Sequence, residues 1–142
     1  MKVADVMTVE VITVDKDKTV QEAANIMSQN RVGAIIVTDG ERVVGIMTER
    51  DILLKVVAKS IDPKTTKVSD IMTREVILVK PDLELDDAAE IMLEHDIKRL
   101  PVIKGSRLVG IVTTVDMIRA SPQMIKRLSE LMHIPKKDAV AG

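Results

Sequence analysis

Not one of the 142 residues is aromatic, and not one is cysteine. The first absence demands a core of Val, Ile, Leu, Ala and Met, which a hydrophobic content of 46% is enough to build. It also argues against a single-stranded nucleic-acid binder, because such proteins grip bases by stacking them on aromatic rings. The second absence excludes disulfides and thiolate chemistry and leaves the redox compartment unread. An excess of one charge is missing too. The chain has 21 Lys and Arg against 22 Asp and Glu, a net charge of −1 and a pI near 6.1, so no overall field draws a polyanion. A few basic residues in one cleft could still bind a mononucleotide. No apolar run approaches the roughly 18 residues of a membrane span. The start, Met1-Lys2-Val3-Ala4-Asp5, meets an acid before the apolar core of a signal peptide. The expectation is a cytoplasmic protein forming one compact domain, or two half-domains that share a core.

What is present is a duplication. Val43-Val44-Gly45-Ile46-Met47-Thr48-Glu49-Arg50-Asp51 returns 65 positions later (116 − 51 = 65) as Leu108-Val109-Gly110-Ile111-Val112-Thr113-Thr114-Val115-Asp116. Residues 3–53 align with 68–118 without a gap, and roughly 20 of about 50 positions are identical, which secures an internal repeat of two units. Each copy of the motif is a short β-branched run, as in a buried strand, followed by Thr, two residues and an acid. Thr-x-x-Asp is a helix N-terminus: the hydroxyl accepts from an early N–H and the acid reaches back. Three residues apart, Thr48 and Asp51 share a helix face, as do Thr113 and Asp116. The Gly before them, without a Cβ, lets another group approach the backbone. A free helix N-terminus suits an anion such as phosphate. Each copy could therefore hold phosphate on backbone and Thr while Asp accepts from sugar hydroxyls. The same residues are also explained as a plain capping box, which stabilises a helix by about 1 kcal/mol without any ligand. Duplication copies caps as faithfully as sites, so the surroundings must decide.

Taken in order, Val3–Thr8 and Val68–Thr73 open the repeats as short helical turns. Val11–Val14 and Val76–Val79 read as short strands. Thr19-Val20-Gln21-Glu22 is a capping box for a helix whose apolar positions are Val20, Ala23, Ala24 and Met27. Leu85, Ala88, Ala89 and Met92 repeat that face, with Glu84 in place of the capping Thr. The Met residues read as core filler rather than ligands. Two apolar runs about a Gly-containing turn follow in each repeat, through Asp39-Gly40 and through Lys104-Gly105-Ser106, which signals hairpins. Pro101 lacks a ladder donor and belongs at a strand start or edge. A second helix begins after each Thr/Asp motif. Each repeat reads strand, helix, strand, strand, helix: an α/β chain with repeats at 1–60 and 68–120 and a linker at 61–67. Ser121-Pro122 reads as an N-cap and first helical residue opening an extra C-terminal helix over 121–134, with Met124, Leu128, Leu131 and Met132 at helical spacing. Residues 135–142 read as a disordered tail.

This arrangement resembles the CBS domain family, named for cystathionine β-synthase, as a tandem pair or Bateman module covering nearly the whole chain. The resemblance rests on Val68-Ser69-Asp70-Ile71-Met72-Thr73, on Ile97-Lys98-Arg99-Leu100-Pro101-Val102 and on Gly-Ile-x-Thr-x-x-Asp in both repeats. It implies two βαββα repeats packed sheet to sheet about a pseudo-twofold axis, and two clefts that bind AMP, ADP, ATP or S-adenosylmethionine. It implies that the motif Asp takes the ribose hydroxyls and the motif Thr assists near ribose or phosphate. One cleft would join Thr48 and Asp51 to Val76, Ile97, Lys98, Arg99 and Pro101, with Lys98 and Arg99 facing phosphate as two basic residues do in the family's adenylate-sensing kinase subunit. The other would join Thr113 and Asp116 to Val11, Val32, Gly33, Ala34 and Ile36. Gly33 and Ala34 stand where the first cleft has Lys98 and Arg99, and Ile36 replaces the family's common Pro, so this cleft lacks that phosphate grip. Arg31, Arg50 and Arg119 are further sources of charge. Adenine would lie between aliphatic side chains. The resemblance also implies pairing of two modules into a flat disc, hence a homodimer.

Three functions compete. The first is a non-catalytic adenosine-ligand sensor with no catalytic cofactor, reporting to a dimer partner or a separate effector protein. The second is a small hydrolase or transferase with His95, His133 and several carboxylates as its candidates; neither histidine belongs to a recognisable catalytic group. The third is a structural dimerisation module with empty clefts that answers to Mg²⁺ or a protein. The acidic residues are not clustered at spacings that define a metal site.

Overall fold

The computed structural model describes residues 1–131. The expected tail and positions Met132 and His133 lie outside the described residues. The opening turns fold as expected, α1 at Val3–Val6 and α4 at Val68–Ile71. The first repeat continues through β1 (Thr13–Asp15), α2 (Val20–Asn30), β2 (Ala34–Asp39), β3 (Arg42–Thr48) and α3 (Glu49–Ile52). The second continues through α5 (Leu85–His95), β4 (Arg99–Lys104), β5 (Arg107–Thr113) and α6 (Thr114–Ala120), and α7 (Met124–Leu128) follows. No helix is long and apolar enough to cross a membrane, among the described residues.

The duplication is visible residue by residue. β2 and β4 have the same order of buried and exposed positions, as do β3 and β5. Gly40 and Gly105 take φ of +64° and +65° at the two hairpin turns, a conformation that favours glycine. β1 pairs parallel with β2, and β2 antiparallel with β3. The expected strand Val76–Val79 does not form. Only an isolated parallel bridge, Val79 with Val102, remains beside the two-stranded sheet β4–β5. The cause is Pro101. In the first repeat the Ile36 N–H donates to the Ile12 carbonyl at 3.4 Å, and Pro101, 65 residues on, has no N–H to give. The strand expected at Val11–Val14 is also displaced, to Thr13–Asp15.

Three helix ends differ from the sequence reading. Thr19 accepts from the Glu22 N–H at 3.1 Å, but Glu22 does not close the box; its carboxylate lies 3.8 Å from Lys18 instead. The second helix of repeat 1 widens after Ile52 into a π turn over Leu53–Val57. The C-terminal helix begins three residues later than Ser121, because Ser121-Pro122 forms a turn in which the Ser121 carbonyl accepts from the Met124 N–H at 2.9 Å.

The chain clusters into two compact units that are not the two repeats. Among the described residues, one comprises 1–9, 78–104 and 109–131; the other comprises 10–77 and 105–108. Each unit thus completes one repeat with the opening segment of the other. Within the second unit, Ile46 and Thr73 exchange backbone hydrogen bonds of 3.0 and 2.8 Å, and Val14, Val20, Ile35, Met47, Val56 and Met72 share one core. Within the first, Thr8 and Ile111 exchange bonds of 2.8 and 2.9 Å, and Val3, Leu85, Met92, Leu100, Val112 and Met117 are buried. Of the methionines read as core filler, Met27, Met47, Met72, Met92, Met117 and Met124 are buried, whereas Met1 is exposed and Met7 half-buried.

Candidate functional site

Each motif strand delivers its Thr to the N-cap of the following helix, and both capping boxes close fully. Thr48 accepts from the Asp51 N–H at 3.1 Å while Asp51 Oδ2 accepts from the Thr48 N–H at 2.9 Å. Thr113 and Asp116 repeat this at 3.1 and 3.0 Å. The segments just before β2 and β4 supply another constraint. The Glu49 N–H donates to the Gly33 carbonyl, and the Thr114 N–H to the Lys98 carbonyl, both at 3.0 Å. The fold itself therefore uses the N–H groups of the first and third residues of each motif helix. That corrects the expectation of a free helix N-terminus. The first-turn donors not used by these bonds are the N–H groups of Arg50 and Val115.

The carboxylates differ in their second oxygen. Asp51, 9% exposed, places Oδ1 3.0 Å from Lys55 Nζ and 3.5 Å from the Thr73 hydroxyl, and its Oδ2 also takes the Thr48 hydroxyl at 3.2 Å. Lys55 is anchored by a further bond to the Ile71 carbonyl at 2.9 Å. Asp116 is half-buried, and its Oδ1 has the Thr8 hydroxyl at 3.4 Å. The residue equivalent to Lys55 is Ala120 (55 + 65 = 120), so no cation stands at that position. Thr8, Thr73 and Lys55 were absent from the sequence-derived site. Lys55 had a signal, its i+4 spacing from Asp51. Thr8 and Thr73 had another, their equivalent places at the ends of the two openers.

The remaining expected site residues fall as follows. Of the first set, Thr48, Asp51 and Val76 lie in one unit and Ile97, Lys98, Arg99 and Pro101 in the other. Val76 is half-buried in irregular chain, Ile97 and Lys98 are half-buried before β4, Arg99 opens β4, and Pro101 is buried within it. Of the second set, Thr113 and Asp116 lie in one unit and Val11, Val32, Gly33, Ala34 and Ile36 in the other. Val11, Val32, Gly33 and Ala34 are half-buried, and Ile36 is 1% exposed within β2. His95 is the exposed last residue of α5. Among the described residues no three His, Asp or Glu side chains are grouped to hold a metal ion.

Comparison with known proteins agrees with the duplication. A family model described as the CBS domain matches residues 3–58 and again 68–123. The chain is 42% identical over 115 residues to the CBS domain-containing protein YhcV of Bacillus subtilis, covering 81% of each chain. It is 39% identical over 120 residues to the inosine-5′-monophosphate dehydrogenase of Methanocaldococcus jannaschii, covering 83% of this chain but 23% of that enzyme. Among solved structures, a candidate signal-transduction protein with CBS domains from Burkholderia ambifaria superposes with a TM-score of 0.79 at 33% identity, covering 84% of this chain and 93% of that one.

Proposed function

Because this chain belongs to the CBS domain family and carries two such domains in tandem, we propose that it is a non-catalytic regulatory module. It binds adenosine-containing ligands (AMP, ADP, ATP or S-adenosylmethionine) and signals by conformational change to a partner. The observation that carries this reading is the way the two motif carboxylates are held. One oxygen of each is committed to its own helix cap; the other meets a threonine hydroxyl at 3.4 Å in Asp116 and at 3.5 Å in Asp51, where Lys55 Nζ also stands at 3.0 Å and leaves room for a further hydrogen bond to the same oxygen. Ordinary O–H···O bonds are shorter, about 2.7 Å, so a ribose hydroxyl is a better partner for that oxygen than the threonine. Asp51 and Asp116 then take the ligand diol, with Thr48 and Thr113 fixing each carboxylate. Lys98 and Arg99 take phosphate through charge-assisted bonds. Half-buried Val11, Val32, Val76 and Ile97 offer aliphatic contact to adenine, with buried Ile36 and Pro101 behind them.

The two carboxylates divide the work. Lys55 already neutralises Asp51, and Lys98 and Arg99 belong to the same family-derived set, so that set favours AMP, ADP or ATP. At Asp116 the position equivalent to Lys55 is Ala120, and its set has Gly33 and Ala34 at the basic positions, so it favours a less anionic ligand such as S-adenosylmethionine. Ligand shifts the molecule between arrangements only by its difference in affinity for them. The report passes to a second copy in a homodimer or to an effector protein.

Calorimetric titration of the full chain with AMP, ADP, ATP, S-adenosylmethionine and GMP tests this. Adenosine compounds bind and GMP does not. Asp51→Ala removes the phosphate-dependent event and Asp116→Ala the other. Absence of heat with every adenosine compound contradicts the reading, and product formed on incubation with ATP contradicts its non-catalytic part.

A further inference from the structure

Lys55 is tied to two elements at once. Its ammonium stands 3.0 Å from Asp51 Oδ1 and donates to the carbonyl of Ile71, the last residue of α4, at 2.9 Å. The segment that carries Ile71 opens the second repeat, yet it is built into the unit that holds Asp51. Val68, Ile71 and Met72 share the core of Met47 and Val56. Ile46 and Thr73 exchange backbone bonds beside them, and the Thr73 hydroxyl lies 3.5 Å from the same Oδ1. One ammonium thus bridges the carboxylate read as the ribose acceptor and the opener of the other repeat.

The other unit builds the same frame without the bridge. Thr8 and Ile111 exchange the matching backbone bonds, and the Thr8 hydroxyl lies 3.4 Å from Asp116 Oδ1, but Ala120 stands where Lys55 would be. The helices differ at that place too. Lys55 is at the centre of the π turn, whereas α6 is regular through Ala120. π turns set into helices recur at functional sites.

A lysine four residues after an acid on an exposed helix is by itself a loosely held pair. The side chain of Lys55 is 46% exposed, and the Ile71 carbonyl is what fixes its ammonium from the far side. An ammonium carries more than one donor, and a carboxylate oxygen more than one lone pair. Oδ1 therefore keeps a place for a ligand hydroxyl while Lys55 holds it still. A binding group held in its bound position beforehand costs less to order when the ligand arrives.

We propose that Lys55 is a positioning residue for ligand at Asp51 and that it couples this site to the docking of the second repeat's opener. The inference rests on the reading of Asp51 as the ribose acceptor. The docked opener fixes Lys55, and Lys55 fixes Asp51. Reciprocity then requires that ligand on Asp51 tighten the opener. The Asp116 site has no lysine to do the same.

Amide hydrogen exchange read by NMR tests this, in the full chain carrying Asp116→Ala so that AMP reports on the Asp51 site. The Thr73 and Ile46 amides report the opener, because each donates across that pairing. Amides of α2 report unfolding of the whole unit, so AMP slows them by mass action wherever it is bound. Saturating AMP slows Thr73 and Ile46 as well, by about fivefold or more. Lys55→Met keeps the aliphatic stem and loses the ammonium. It weakens AMP binding in calorimetry by a similar factor, about fivefold or more. At saturation AMP still slows its α2 amides but no longer slows Thr73 and Ile46. Lys55→Arg restores the slowing, and Lys55→Ala repeats the result of Lys55→Met should that variant not fold. A lysine that only stabilised the fold would leave the AMP-dependent slowing of Thr73 intact in Lys55→Met, and that result overturns the proposal. So does a Lys55-containing chain in which AMP slows α2 but not Thr73. No heat and no slowed α2 amide with AMP in any chain, the unaltered one included, is instead the failure of the ligand reading, and this inference falls with it.

Discussion

Gly45 and Gly110 show what a single missing side chain does here. A Cβ built on Gly45 would lie 2.5 Å from the Met72 sulfur and 2.9 Å from the Thr73 carbonyl oxygen; on Gly110 it would lie 2.6 Å from the Met7 sulfur and 3.1 Å from the Thr8 carbonyl oxygen. Sequence reading had each glycine admitting a close neighbour, and the neighbour is the opening segment of the other repeat. That identity was illegible, because a glycine announces a close approach without naming its partner. A methionine tip can yield, but a hydrogen-bonded carbonyl cannot. Gly45→Ala therefore destabilises by about 1–3 kcal/mol, and Gly110→Ala by less, in urea unfolding curves. The carboxylates give a second contrast. Asp51→Ala leaves the Thr48 N–H without its acceptor and Lys55 without its counter-charge, a loss of about 2–3 kcal/mol by the same measurement, whereas Asp116→Ala, with no lysine involved, costs about 1 kcal/mol.

Among the elements, those specified by local chemistry were readable in advance. The Thr-capped motif helices, the glycine hairpins and both long amphipathic helices all fold as their spacing indicates. Elements set by a partner strand or helix were not. The strand expected at Val76–Val79 has the right β-branched residues but keeps only the bridge at Val79, because Pro101 cannot donate the next ladder bond and its effect falls on a neighbour distant in sequence. The π turn has no composition signal, since Leu53–Val57 suits an ordinary helix equally well. For α7 the energetics separate packing from charge. Leu128→Ala opens a cavity in a fully buried site and costs about 2–5 kcal/mol. Arg127→Ala, which removes two solvent-exposed ion pairs, costs about 1 kcal/mol or less. Thermal melts of the two variants should therefore differ by several degrees.

For the whole molecule, the alignment at a spacing of 65 revealed two repeats but not how they are completed. Contacts partition the chain so that each unit takes its opener from the other repeat. A fragment of residues 1–60 thus lacks the segment that fills the space over Gly45 and pairs Ile46, and it should show no cooperative melting by circular dichroism, while the full chain does. For the candidate site, the sequence marked the capping pairs but not what surrounds their carboxylates. Spacing picked out Thr48, Asp51, Thr113 and Asp116 as capping pairs, which the structure shows closed in both repeats, and the family resemblance added their ligand roles. Lys55, which distinguishes the two carboxylates, stands at i+4 spacing from Asp51, but only the structure shows that the outer oxygen of Asp51 turns toward it.

The account turns on the ribose diol meeting Asp51 and Asp116, and sugar-edited ligands address that most directly. AMP and 2′,3′-dideoxy-AMP are titrated calorimetrically into the wild type, Asp51→Ala and Asp116→Ala. The wild type should prefer AMP by tenfold or more, in line with about 1.5–3 kcal/mol for hydrogen bonds to a charged group, and the preference should collapse at the altered site. An undiminished preference for AMP in both variants would contradict the account.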